Sequence, residues 1–460
     1  MKGLSKLKEL WSEVFKKGKE NDLHLIDGKK RNLRLLVQLI LSFGYKGLSM
    51  ALSFAIVPLS LNILGPNEYG LWLTIFSFVN FFLFFDLGLG NGLKNKITIS
   101  LANNDLQSTR SFISTGYIVF ASLSFVLILL LVLLISSINM SSFLNTAGVS
   151  DHKVKQAMLI VGITIITSFT LNFVYNISAA QQKISFANLG MVLNNGLAVL
   201  VLIYLNIIKT PITITIMAVI TAGALIASML ISNVVFYKRN PNLFPSIKDF
   251  RMNLLKSTLK LSTGFFIVQI QVIIISFTDT IIINKYLGNY EVTRYNLVYK
   301  LFSAIIILLS LVSMPLWTVF TEAFEKKDNL WIKNVFKRFN YIIVVAALVF
   351  ILLGVFINPI LYIWTHHNYQ IPALLVTGMI IYNVAYAWNY NYSVFLNSIS
   401  AIRVQLPYLI ITSILNIPLC IYFIHLGLGS AGVVLASAVC VLPFSIFGPY
   451  VAYKRVRENN

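Results

Sequence analysis

Residues 64–96 read LGPNEYGLWLTIFSFVNFFLFFDLGLGNGLKNK. A glycine–proline turn opens the stretch, an apolar run of membrane length fills it, and a glycine-rich turn closes it before a pair of lysines. No soluble domain fits between the two turns. The opening returns later: Leu64, Gly65 and Glu68 of LGPNE are echoed by Leu287, Gly288 and Glu291 of LGNYE, at a constant offset of 223 residues in a chain of 460. An echo displaced by about half the chain points to a duplicated membrane bundle.

The composition agrees. With 57% hydrophobic and 11% charged residues, the chain carries more apolar surface than a soluble core of this length buries. Runs of about 20 apolar residues, each able to cross ~30 Å of hydrocarbon as a helix, recur about twelve times. They cover approximately 35–58, 69–88, 111–138, 156–180, 184–206, 211–236, 256–284, 293–320, 339–363, 371–398, 404–424 and 429–452. Continuously apolar runs such as Val126 to Ile135 exclude barrel strands, which alternate apolar with polar. The expectation is an all-α integral membrane protein. The first 34 residues are too charged for a cleavable signal peptide. Within them Leu4, Leu7, Leu10, Trp11, Val14 and Phe15 recur among lysines at the spacing of an interfacial helix. Cys420 and Cys440 both fall in spans, so neither a disulfide framework nor a thiolate metal site is expected.

A formal net charge of +20 raises the question of nucleic acid, and the location of the charge answers it. With the amino terminus cytoplasmic, the inner segments hold 28 of the 36 Lys and Arg and the outer segments 5. That is a positive-inside distribution with both termini cytoplasmic. The charge reports topology and contact with anionic membrane lipids, with no basic soluble domain for a nucleic acid. The organisation is then a cytoplasmic amphipathic segment 1–34, an N-terminal six-helix bundle 35–236, a cytoplasmic linker 237–255, a C-terminal six-helix bundle 256–453 and a tail 454–460.

Polar side chains inside lipid mark the faces that meet a neighbour or water. The first span carries Gln38, Ser42, Tyr45, Ser49 and Ser53 as one stripe, with Lys46 on its border, too deep to reach either surface easily. The seventh carries Ser262, Gln269, Ser276 and Asp279, and the eighth Asn296, Lys300, Ser303, Ser310 and Ser313. Asp279 and Lys300 are spaced so that an ion pair between neighbouring spans is one reading and separate functional roles the other. Asp86 and Glu322 sit at inner span ends, where helix capping competes with ion coupling. In the tenth span Tyr382, Tyr386 and Tyr390 share a face, with Asn389 beside them. Rings and amides match the flat CH faces and hydroxyls of sugars, and equally suit helix packing.

Missing motifs narrow the function. No GxxxxGK[ST] loop is present for ATP hydrolysis. No outer segment has the length expected of a membrane glycosyltransferase. His366 and His367, in a short outer loop, lack clustered carboxylates, so no metal site is assigned.

Three motifs, LGPNEYGLW (64–72), FFDLGLGNGL (84–93) and DTIIINKYLGNYEVTRYN (279–296), give the chain its family likeness. In their order and spacing it resembles the polysaccharide transporters of the multidrug/oligosaccharidyl-lipid/polysaccharide exporter superfamily, in particular the O-antigen and repeat-unit flippases. The resemblance implies two six-helix bundles around a central cavity that opens alternately to each face of the bacterial cytoplasmic membrane. It also implies an undecaprenyl-pyrophosphate-linked glycan as substrate, and polysaccharide polymerase machinery as a partner. A pyrophosphate crossing hydrocarbon requires a cation, which Lys46 and Lys300 supply. Asp279, Asp86, Gln38, Ser42, Tyr45, Gln269 and Asn296 are then the cavity or ion-coupling candidates, and Tyr382, Tyr386, Asn389 and Tyr390 the glycan wall. No cofactor is implied beyond coupling to a sodium or proton gradient. A cation-coupled multidrug antiporter of the same superfamily is the main alternative. A membrane glycosyltransferase or polymerase is the second.

Overall fold

The computed structural model describes residues 28–82, 89–146, 148–209, 212–254, 278–399, 401 and 404–459, and these are helical with short connections. Within hydrocarbon a helix satisfies its own backbone hydrogen bonds, and sequences this apolar have no other inexpensive arrangement. In chain order the helices are α1 (Gly28–Asn80), α2 (Leu89–Ala102), α3 (Leu106–Ser137), α4 (Asp151–Ala180), α5 (Ser185–Ile207), α6 (Ile214–Arg239), α7 (278–287), α8 (Asn289–Glu325), α9 (Asn329–Val355), α10 (Ile357–Thr365), α11 (Ala373–Ser398), α12 (Leu406–Phe423) and α13 (Gly429–Glu458). Eight described helical runs are long and apolar enough to cross a membrane. Two of them, Val37–Asn80 and Leu406–Glu458, are broken by glycines and supply two crossings each. Large apolar side chains stand exposed along α3 (Phe125, Leu129, Leu133) and α9 (Val345, Leu348, Leu352), the faces that meet lipid.

Sequence reading expected an open turn at 64–70. The chain instead turns at one residue, Gly65 (φ 70°, ψ 166°), with helix on both sides. Gly288 does the same between α7 and α8 (φ 89°, ψ 174°). This backbone region is essentially open to glycine alone, so the echo seen in the sequence is a repeated corner. Pro66 follows the first corner at a helix start, where its missing N–H costs nothing. The run 339–363, read as one span, is divided at Phe356 into α9 and α10. Pro359 lacks the N–H that the Val355 carbonyl requires to continue the helix.

Helices of the first half pack on one another, α1 along α5, α4 on α3 and α6, α5 on α6, and α2 against α3 and α4. Those of the second half do likewise, α11 on α8, α9 and α13, and α12 on α13. The linker docks on the first group. Ser246 and Arg251 donate backbone N–H bonds to the Ser114 and Thr115 hydroxyls, at 3.0 and 3.1 Å, and Arg110 pairs with Asp249 at 3.2 Å.

The main contact between the two groups is α1 against α8, joined by α10 against α1. At the Gly65 end it is reciprocal. Thr293 donates through its hydroxyl to the Pro66 carbonyl at 2.6 Å, while Gly70 lies directly under the Asn289 carbonyl. Asn289 and Thr293 stand 223 residues after Pro66 and Gly70, so each repeat's corner presses on its counterpart, as in an isologous interface. Asn145, in the connection between α3 and α4, closes the same end. Its N–H donates to Asn284 Oδ1 at 3.0 Å, and its carbonyl accepts from the Asn284 and Asn289 amides at 3.1 and 2.9 Å. A Cβ at Gly70 would overlap the Asn289 carbonyl, with backbone on both sides and no side chain to give way. We expect Gly70→Ala to cost about 1–3 kcal/mol, the range for an overpacked core. The measurement is a lowered melting temperature in detergent, with Gly223→Ala, which meets open space, as the neutral control.

Candidate functional site

Lys300 projects from α8 into the α1–α8 seam. Its ammonium donates to the Ser53 carbonyl of α1 at 2.7 Å and lies 5.6 Å from the centre of the Phe54 ring. Asp279 on α7 faces the interior of the second group, where its Oδ2 accepts from the Tyr295 hydroxyl at 2.8 Å. Among the described residues its Oδ1 has no donor in good geometry, although Ser437 lies nearby. The ion pair that spacing allowed between Asp279 and Lys300 is therefore not formed, because the two side chains leave their helices toward different partners.

Lys46 is seven residues before Ser53, two helical turns and about 10 Å from it on nearly the same face of α1. It continues the lysine line of the seam toward the end opposite Gly65. It is half-buried, and none of the ion pairs among the described residues involves it. Tyr45 and Ser42 are half-buried beside it, and among the described residues the Ser42 hydroxyl is buried without a partner. A cation and an idle hydroxyl on one stripe form an arrangement in which an entering anion gains hydrogen bonds without breaking any.

Tyr382, Tyr386 and Tyr390 form a ladder down α11, with ring centroids 6.0 and 6.3 Å apart. Tyr386 is the most open of the three, at 38% exposure. The tyrosine cluster continues onto α8. Tyr295 and Tyr299 of α8 stack at 6.1 Å with ring planes 9° apart, and Tyr299 lies close enough to Tyr382 and Tyr386 to interact electrostatically with both. The i, i+4 tyrosines of YNLVY (295–299) are the sequence signal that could have found them.

Two candidates serve packing instead. Gln38 accepts from the Ser185 N–H and hydroxyl at 3.2 and 2.6 Å, tying α1 to α5. Asn389 donates to the Val441 carbonyl at 2.8 Å and is buried between α11 and α13. Asn296 bonds to the Val292 carbonyl of its own helix, at 2.9 Å, and reaches Thr280 of α7 at 3.5 Å. Glu322 pairs with Lys326 on the exposed end of α8, ordering that end. Asp86, Gln269 and the amphipathic segment 1–27 lie outside the described residues.

The described helices thus form a two-group membrane bundle with the α1–α8 seam between the groups. Among solved structures the chain is similar to an inward-facing multidrug resistance MATE family transporter of the MOP superfamily, at TM-score 0.74 and 15% identity over 92% of this chain and 98% of that one. To an outward-facing one its TM-score is 0.62, at 16% identity over 96% and 99%. The chain thus has the fold of the MATE transporters, whose twelve helices form two bundles. By sequence it belongs to the polysaccharide biosynthesis protein family, whose profile matches residues 36–324, and the MatE profile matches 265–422. It is 26% identical to a protein named for O-antigen export from Yersinia pseudotuberculosis, over 79% of this chain and 83% of that one. To a protein named as an O-antigen transporter from Salmonella typhi it is 24% identical, over 76% and 79%.

Asp279 gives a test of the site's geometry that is independent of function. Asp279→Asn keeps an acceptor for Tyr295 and is expected to melt like the native protein. Asp279→Leu leaves a buried hydroxyl unpaired, and we expect a loss of about 1–3 kcal/mol, read as a lower melting temperature.

Proposed function

We propose that this protein is a flippase that carries an undecaprenyl-pyrophosphate-linked oligosaccharide from the inner to the outer leaflet of a bacterial cytoplasmic membrane. The observation that carries the reading is a pair of unlike clusters: lysines on the α1–α8 line with no carboxylate partner among the described residues, and tyrosines on the α8–α11 face. An anionic head group and a sugar chain have matching chemistry, since charge-assisted hydrogen bonds hold pyrophosphate and ring faces pack on aromatic planes. The family and the relatives named for O-antigen export support it.

In this reading the Gly65 end is the outer one and both termini are cytoplasmic. The positive-inside charge distribution supports that orientation, as does the greater likeness to the inward-facing neighbour. The seam is closed at the Gly65 end by Thr293, Gly70 and the asparagines, so the substrate enters from the cytoplasmic side. The pyrophosphate meets Lys46, the glycan lies along the tyrosine ladder, and the polyprenyl chain stays in lipid between the bundles. Rocking about the seam then exposes the head group outside. Asp279, held by Tyr295 in the second bundle, is the group we assign to coupling with a proton or sodium gradient. Surface polysaccharide assembly places the flippase before a polymerase.

Likeness to multidrug MATE transporters supports a second reading, a cation-coupled drug antiporter. A cationic drug would be repelled by Lys46 and Lys300, and efflux assays in a sensitised host separate the two readings.

In cells that depend on the protein for surface polymer, Lys46→Ala is expected to lower repeat-unit translocation at least tenfold at normal membrane abundance, and Lys46→Arg to retain most of it. Normal translocation by Lys46→Ala would refute the anion site.

A further inference from the structure

Pro58 interrupts the hydrogen-bond ladder of α1 beside the seam. Its ring nitrogen carries no hydrogen, so the Phe54 carbonyl, one turn back, has no donor within its own helix. The second bundle supplies one. Trp364, at the end of α10, donates its indole N–H to the Phe54 carbonyl at 3.0 Å, and its ring lies 5.0 Å from the Phe54 ring. The adjacent Ser53 carbonyl takes the Lys300 ammonium. Two consecutive carbonyls of α1 are thus held by two donors from the other half of the protein, with the Phe54 ring against both donor side chains.

We infer that Pro58, Phe54, Trp364 and Lys300 form a latch that keeps the Gly65 end of the seam closed, and that an anionic head group releases it by drawing Lys300 from the Ser53 carbonyl. The two donors contribute differently. Trp364 meets a carbonyl that has no alternative partner in its helix, so separating the halves leaves a buried acceptor unpaired. That makes closure the resting state. Lys300 is an ammonium held by neutral groups only, a carbonyl oxygen and an aromatic face, with no carboxylate partner among the described residues. A phosphate oxygen is the stronger acceptor for it, since ionised pairs form hydrogen bonds about twice as strong as neutral ones. An anion arriving along the lysine line from Lys46 therefore competes with Ser53 for the same donor. Entry of substrate at one end weakens the closure of the other, which is the coupling that alternating access needs. Release by an anion rests on the flippase reading, whereas the latch itself rests on the contacts alone.

The test is the distance across the Gly65 end, measured by pulsed electron spin resonance. Labels go on Asn67→Cys and Asn368→Cys, both exposed, with Cys420 and Cys440 replaced by alanine and the full chain in nanodiscs. Without ligand, the otherwise native protein should give one short distance. Trp364→Phe, which keeps the ring and loses the donor, should raise the long-distance fraction at least threefold. So should Pro58→Ala, which restores the helix donor to Phe54 and thereby removes the need for Trp364 without weakening α1. If neither variant changes the distribution, the latch is overturned. Farnesyl pyrophosphate added to the otherwise native protein should lengthen the distance, and Lys300→Gln should abolish that response. Opening by the variants without a farnesyl pyrophosphate response would uphold the latch and overturn its release by anions. A pyrophosphate response with unmoved variants would overturn the latch and leave the flippase reading intact.

Discussion

The two halves of this protein approach each other most closely where Gly70 lies under the carbonyl of Asn289 and Thr293 bonds back to the carbonyl of Pro66. Because the four residues are related by the sequence repeat, neither half can tighten the contact without the other. Any side chain at Gly70 would hold the backbones apart. Closure at that end brings α8 along α1 for several turns, which carries Lys300 to Ser53 and α10 to Phe54. The seam therefore sets the position of the Lys300 cation.

The surroundings of that cation favour an anion in the reading proposed above. An ammonium half-buried between a backbone carbonyl and a ring face has given up part of its water and, among the described residues, gains no counter-charge. In the flippase reading proposed above, an arriving pyrophosphate supplies that counter-charge. In that reading a carboxylate partner would neutralise Lys300 and leave it little to offer an anionic substrate. The nearest candidate for that role, Asp279, is turned instead into the second bundle and held by Tyr295.

What could be read from the sequence follows from how local each feature is. The glycine corners were legible because Gly65 and Gly288 stand in matching motifs and need a backbone conformation closed to other residues. Lys46 was legible as a charge too deep to reach either surface easily, and Lys300 as a charge on the polar stripe of the eighth span. Helix polarity alone did not reveal direction: Gln38 and Asn389 lie on polar stripes yet bond within their own bundles. The asparagine closure was hidden because Asn145 sits in an ordinary connection and meets residues about 140 positions away. Trp364 was hidden twice, by its distance from Phe54 and by a span that the chain divides at Phe356. Tyr295 and Tyr299 were the exception, a pattern on the page whose partners on α11 only the fold supplies.

The central claim is that the lysine and tyrosine walls carry a lipid-linked glycan and not a cationic drug. Its most direct test is reconstitution of the purified protein in liposomes with a fluorescent polyprenyl-pyrophosphate oligosaccharide, following the fraction that becomes accessible to a glycan-cleaving enzyme on the far side. The account predicts translocation that depends on the protein and is suppressed when both lysines are neutral. Liposomes that accumulate a cationic dye but leave the lipid-linked glycan in place would contradict it.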